Sequence, residues 1–359
     1  ADSGLLQREV HIYHELMRKH NIQFYFLTYG DTEDRQWEPE LKGIRLLPVY
    51  ERLPRLRFKW LSFLQSFLIP WYFRKEFKLV EVLKTNQIWG GWIAVMVKLI
   101  FNKPLLVRCG FEAYKNSMAA ENNDISHIIL KYTSWLTYKN ANHIWLNTNE
   151  ISDFVRRNFS IPASKITVHE NWIDTELFKP NESVVKYKDR VLFVGRISEE
   201  KNIPLILNAL SGTDISLDIV GAGVLKEKIV TLATKLNVNV KFLGLVDNSL
   251  LPNIYNQYQV FIMCSIYEGN PKAILEAMAC ECVFIGSKVA GIYDIVEHNK
   301  TGILIENSSN SLRKEILNLL SNDAFARELS KAGRRRIVQF NSIANFLELE
   351  SKIYLELIK

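Results

Sequence analysis

Short apolar runs alternate with helical patterns through almost the whole chain, and this alternation limits the fold more than any other feature. In the first half, Gln23-Phe-Tyr-Phe-Leu-Thr28, Ile44-Arg-Leu-Leu47, Leu105-Leu-Val107 and His143-Ile-Trp-Leu146 read as strands. Helical patterns cover Leu5 to Lys19, Ile93 to Phe101, Ile125 to Lys139 and Glu150 to Phe159. The second half repeats the scheme, with strands at Val191 to Val194, Ser216 to Val220, Val240 to Leu243, Val260 to Cys264, Val283 to Gly286 and Gly302 to Ile305. Strands that alternate with helices form parallel sheets covered on both faces. The expectation is α/β, two doubly wound domains in tandem, with a ligand cleft at the carboxyl ends of the strands.

At 359 residues the chain has the length for two such domains. The first is expected over 1–180 and the second over 181–340, with a C-terminal helix over 341–359 packing back on the first. The boundary falls in the polar, aperiodic stretch Lys179 to Asp189. Ala1 to Gly4 looks like a loop, and one reading of that opening is a first strand lying ahead of it. Cys109, Cys264, Cys280 and Cys282 lack metal-site spacing and read as buried free thiols, which suits a reducing compartment.

The net charge of +6 is unevenly placed. Residues 52–78 hold Arg52, Arg55, Arg57, Lys59, Arg74, Lys75 and Lys78 against Glu76 alone. Inside this segment, Leu61 to Phe73 is apolar and aromatic, too short to span a bilayer and interrupted by Pro70. Basic flanks around Trp, Phe and Leu suit an anionic membrane interface, so this segment is expected to lie on a membrane surface. A buried helix with a solvated basic rim is the alternative. No nucleic-acid-binding motif accompanies the charge, and nucleic acid is not expected as a partner.

Three stretches carry chemistry. In Glu268-Gly-Asn-Pro-Lys-Ala-Ile-Leu-Glu276, Asn270 suits an N-cap and Pro271 the first helical position. The helix start beside Gly269 would offer free amides to an anion or to sugar hydroxyls. Glu276 can accept two hydrogen bonds from a vicinal diol such as a ribose. A capped helix with an exposed glutamate is the plainer alternative, but the apolar neighbours Ala277, Met278 and Ala279 explain it poorly. In the second stretch, Gly195 ends a strand and Arg196 and Lys201 follow, two cations that suit a diphosphate. The third, Val220-Gly221-Ala-Gly223, is by itself only a tight turn after a strand.

Together, Glu268-x7-Glu276, Gly195-Arg196…Glu200-Lys201 and Gly221-x-Gly223 resemble the retaining, nucleotide-sugar-dependent glycosyltransferases of family 4, whose architecture is GT-B. Asn171-Trp-Ile-Asp174 and Ala290-Gly-Ile-Tyr-Asp-Ile-Val296 are similar to further family segments. The resemblance covers nearly all of the second half and is weaker in the first. It implies two Rossmann-like domains, an N-terminal one for the acceptor and a C-terminal one for the nucleotide sugar.

It also implies roles. Arg196 and Lys201 would neutralise the departing diphosphate, so neither a metal nor another cofactor is expected. Glu268, with the amides from Gly269 through Asn270 and Pro271 to Lys272, would hold the donor sugar. Glu276 would bind the ribose, main chain at Val246 the base, and Gly4 a loop over the donor. Where many relatives carry a His, this chain has Leu105-Leu-Val-Arg-Cys-Gly110, and Arg108 or a backbone group is the candidate on the acceptor side. Glu281 and Tyr293 replace the family's usual glycine and proline. The expected activity is transfer of a sugar, with retention, from a nucleoside-diphosphate sugar to a lipid-linked glycan or cell-surface polysaccharide intermediate. The expected location is the cytoplasmic face of the membrane, bound peripherally. A nucleotide-sugar epimerase or hydrolase and a non-catalytic sugar-nucleotide binding protein are the rival readings.

Overall fold

A computed structural model describes residues 3–119 and 125–359. Two compact units make up the chain: Ala1–His169 with Leu347–Lys359, and Glu170–Phe346. The division falls ahead of the polar stretch expected to hold it. The reason is local. Glu170 and Asn171 are fixed within the second unit by Arg336 and Asn341.

In the first unit, strands β1 (Tyr25–Thr28) and β2 (Arg45–Pro48) form a parallel pair. Strands β3 (Leu83–Thr85), β4 (Leu105–Cys109), β5 (His143–Leu146) and β6 (Ile166–Val168) form a separate parallel sheet in sequence order. β3 and β6 escape the sequence reading because each is three residues long and holds polar side chains. The first helix runs Ser3–His20, so Gly4 sits in a helical first turn rather than in a loop. The turn tolerates glycine because its amides need no intrahelical partner.

The C-terminal helix, Ile343–Ile358, carries Glu350 into the first unit, where it is fully buried and paired with Lys84 of β3. Burial alone would raise this carboxyl. The charges of Lys84 and Arg108, with hydrogen bonds from Lys84 and Tyr354, outweigh that effect and hold it below its ordinary value.

In the second unit, β7 (Arg190–Val194), β8 (Ser216–Val220), β9 (Val240–Gly244), β10 (Val260–Met263), β11 (Val283–Ser287) and β12 (Ile303–Ile305) form one parallel sheet. Its spatial order is β12-β11-β10-β7-β8-β9. Side chains sort by the two-residue period of a strand. Val191, Phe193, Val260 and Ile262 enter one apolar core, while Leu192, Val194, Phe261 and Met263 enter the core on the opposite face. The chain builds outward from β7 to β9, returns to β10 beside β7, then builds the other way. The loops after β7 and β10 therefore diverge, and the crevice between them is the topological switch point of the sheet.

Removing Lys84 leaves the buried Glu350 charge without its main partner. Lys84→Met is expected to cost about 3–5 kcal/mol in urea unfolding, and Lys84→Met with Glu350→Leu to recover most of it. A single variant as stable as the parent would show the pair to be dispensable.

Candidate functional site

Three loops at the carboxyl end of the second sheet are bound to one another through their backbones. The Gly195 amide donates to the Val220 carbonyl at 2.9 Å, Ile197 to Ala222 at 3.0 Å, and Gly221 to Gly244 at 2.7 Å. The glycines permit this approach. A Cβ on Gly221, whose φ is +136°, would lie 1.9 Å from the Gly195 carbonyl oxygen, and one on Gly223 would lie 2.2 Å from that of Ile197. The first service of Gly221 and Gly223 is thus loop against loop.

On the other side of the switch point, the Ile266 amide donates to the Glu200 carbonyl at 2.8 Å, joining the loops after β7 and β10. Their side chains meet as well. Lys201 Nζ pairs with Glu268 Oε1, and Ser265 Oγ donates to the same oxygen at 2.6 Å. Both partners are nearly enclosed, with side chains 12% and 10% exposed. Arg196 differs: its side chain is 81% exposed, and its guanidinium lies 3.4 Å from Glu200. Arg196 and Lys201 are therefore not twin free cations. One is committed to Glu268, and the other reaches into solvent beside an acid.

Asn270 does not cap the helix it precedes. The helix runs Lys272–Ala279 with Pro271 at the cap position, and no side chain caps it. Asn270 Oδ1 instead accepts from the Asn171 amide at 2.8 Å, while Asn171 Nδ2 donates to the Asn270 carbonyl at 2.7 Å. This exchange spends the oxygen that a cap would need. Asn270 Nδ2 is buried with no protein partner, a donor left for something else. Lys272 sits 4.4 Å from the Trp172 ring centroid, a cation–π contact. Gly291 packs on this turn so closely that a Cβ there would lie 1.8 Å from the Gly269 carbonyl oxygen.

Glu276 is 2% exposed, which excludes the exposed-glutamate reading. Tyr255 Oη donates to Oε2 at 3.0 Å, and Asn248 Nδ2 approaches Oε1 at 3.5 Å. Val246, half-buried beyond β9, packs on the same core as Tyr255. The second unit thus brings Gly195, Lys201, Glu268, Gly269, Asn270 and Lys272 around the switch point, with Glu276 and Val246 deeper along the β9 side. Sequence reasoning missed Tyr255, Ser265 and the Glu170–Arg336–Asn341 network. Tyr255 meets Glu276 across 21 positions and Glu170 meets Arg336 across 166, so no local pattern marks them, whereas Ser265 lies three residues before Glu268.

Gly4 and Arg108 belong to the first unit. Arg108 is half-buried on β4, with its guanidinium 5.9 Å from the Trp145 ring centroid. Among the described residues no cluster of three or more His, Cys, Asp or Glu side chains could hold a metal ion. All four cysteines are buried and free, and burial pushes the Cys109 and Cys282 thiols up to about 11.

The family described as Glycosyl transferases group 1 matches residues 174–336, the span that contains this site. The O-antigen biosynthesis glycosyltransferase WbnH of Escherichia coli is 30% identical over 66% of this chain and 68% of its own. The chain belongs to the group 1 glycosyltransferases. A second relative is the N-acetylgalactosamine-N,N'-diacetylbacillosaminyl-diphospho-undecaprenol 4-alpha-N-acetylgalactosaminyltransferase of Campylobacter jejuni. It is 26% identical over 70% of each chain. Among solved structures, Anabaena HepE in complex with UDP gives a TM-score of 0.78 at 14% identity, over 99% of this chain and 96% of that one. A Rickettsia africae glycosyltransferase gives 0.75 at 17%, over 99% and 94%. The fold of this glycosyltransferase is GT-B, as the alternation of its elements and the family resemblance lead one to expect.

Because the Gly221 contact is with backbone, Gly221→Ala forces the loops apart. The expected cost is about 1–3 kcal/mol, read as a lowered Tm. An unchanged Tm would mean the loops are not held by this approach.

Proposed function

We propose that this glycosyltransferase moves a sugar, with retention, from a nucleoside-diphosphate sugar to a hydroxyl of a lipid-linked glycan or cell-surface polysaccharide intermediate. The observation that carries the reading is the Lys201–Glu268 pair at the switch point, flanked by the orphaned amide of Asn270 and backed by buried Glu276. The arrangement suits an extended ligand, with sugar hydroxyls at Glu268 and Asn270, diphosphate near Arg196, Lys201 and Lys272, ribose at Glu276 and base along the chain at Val246.

Glu268 is held by Lys201 and Ser265, which fixes its orientation and leaves it a poor nucleophile. The reading is therefore a same-face displacement. The bond from anomeric carbon to phosphate oxygen breaks as the acceptor oxygen arrives, and that phosphate oxygen takes the acceptor proton. Arg196 and Lys201 stabilise the charge on the leaving diphosphate without a metal. Arg108 is kept as the acceptor-side candidate, and Gly4 as part of the donor approach.

The acceptor class rests on relatives and on surface chemistry. The Campylobacter relative is named for a diphospho-undecaprenol substrate, and the Escherichia coli relative for O-antigen biosynthesis. In this chain, Trp60, Leu64, Phe67, Leu68 and Trp71 are exposed over the helices Lys59–Ser66 and Ile69–Tyr72, with Arg57, Arg74, Lys75 and Lys78 exposed around them. Arg52 is spent on Glu76 and the Phe73 ring. Among the described residues no helix is long and apolar enough to cross a membrane. This supports peripheral attachment to an anionic surface on the cytoplasmic side.

Arg196→Ala and Lys201→Ala are each expected to lower transfer of labelled sugar by about 10²–10³-fold. Near-parental transfer by both would sink the assignment, and donor turnover independent of acceptor would favour a hydrolase or epimerase. Trp60→Ser with Trp71→Ser is expected to abolish co-flotation with anionic liposomes while leaving thermal stability unchanged. Undiminished flotation would remove this surface from the account.

A further inference from the structure

Glu276 puts a carboxylate where a charge is costly. On its helix, Lys272–Ala279, every residue from Ile274 onward is buried, and Ile274, Leu275, Ala277 and Met278 are closed to solvent entirely. An acid in such surroundings persists only where donors meet it.

One donor is Tyr255, whose hydroxyl reaches Oε2 at 3.0 Å. Tyr255 is fully buried at the end of the helix Leu251–Tyr255. Its ring packs on Phe178 and on Phe261 of β10, with centroids 6.1 and 5.9 Å away. Its carbonyl accepts from Cys282 Sγ at 3.1 Å. Ring and backbone are thus both fixed, and the phenol cannot swing away from the carboxylate. Burial, and after it the Glu276 charge, raise this phenol well above its ordinary pKa, so it stays protonated and remains a donor.

The two carboxylate oxygens face different surroundings. Oε2 lies against the enclosed phenol. Oε1 is turned toward the loop that leads from β9 to the helix Leu251–Tyr255, where half-buried Asn248 stands with Nδ2 3.5 Å away. The same loop carries Val246. A tyrosine buried for packing alone could be a phenylalanine facing an apolar residue, and the helix would be spared its charge.

We infer that Tyr255 is a positioning residue for nucleotide recognition: by holding Oε2 it fixes the rotation of the Glu276 carboxylate and presents Oε1 to the 2′- and 3′-hydroxyls of a ribose. This rests on the proposed placement of the ribose at Glu276. Tyr255 acts through that carboxylate, because its own burial keeps it from the nucleotide. The consequence is selectivity. A carboxylate held in one rotation is matched to a complete diol, and a nucleotide that lacks one hydroxyl leaves a desolvated acceptor unmet.

The test compares affinities by titration calorimetry. The probe is whichever of UDP, GDP, ADP and CDP raises Tm most, together with its 2′-deoxy counterpart. The parent is expected to bind the ribose form about tenfold or more tighter, and Tyr255→Phe to cut that preference to about threefold or less, chiefly by weakening the ribose form. A tyrosine with a merely structural role would lower Tm, or weaken both forms alike, and leave the ratio unchanged. An unchanged ratio therefore overturns the proposal. Equal affinities in the parent would instead remove the ribose from Glu276, and this inference with it. If Tyr255→Phe does not fold, Glu276→Gln is compared with Glu276→Gln plus Tyr255→Phe, which leaves no carboxylate buried there. The added change is expected to abolish the preference that Glu276→Gln retains, and survival of that preference would count against Tyr255.

Discussion

The ion pair of Lys201 with Glu268 is the interaction on which the arrangement of the site depends. It forms where the order of the second sheet reverses, and where two loops from adjacent strands would otherwise diverge into solvent. Both partners are nearly enclosed, so neither charge is well solvated alone, and each holds the other in place. The backbone bond from Ile266 to Glu200 sets the same two loops together. A ligand arriving here meets a carboxylate already oriented and a cation already positioned, which lowers the reorganisation that binding requires.

Around that pair, packing of unusual closeness does the positioning. Gly221, Gly223 and Gly291 allow backbones to approach where any side chain would collide. Buried Glu276 is fixed from below by Tyr255, and Asn270 is fixed sideways by Asn171. The Asn171 segment is in turn held by a network in which Arg336 pairs with Glu170 and Asn341 bonds to both Glu170 and Asn171. The site is thus supported by residues spread over the whole second unit, which is why its rigidity is a property of the fold and not of the loops alone.

Much of this was legible in the sequence. Short apolar runs between helical patterns located every strand of the second sheet, because all of them except half-exposed β9 at the edge are largely buried. The carboxylates and cations stood out in the sequence because they lie beside glycines at strand ends, and the structure brings Lys201 and Glu268 together there. What was not legible involved long range or competition. Asn270 has the chemistry of a cap, and only the fold reveals that Asn171 has claimed its oxygen. Lys201 looks like a free cation until Glu268, 67 positions away, is placed beside it. β3 and β6 were too short and polar to register, and the split between β1 and β3 has no local signal at all.

The central proposal is that the pair at the switch point serves transfer with retention and not with inversion. The most direct measurement is the anomeric configuration of the first-formed product, read by proton NMR from the coupling at the transferred sugar's anomeric position. Retention predicts that the configuration of the donor persists in the product. A product of opposite configuration would contradict it.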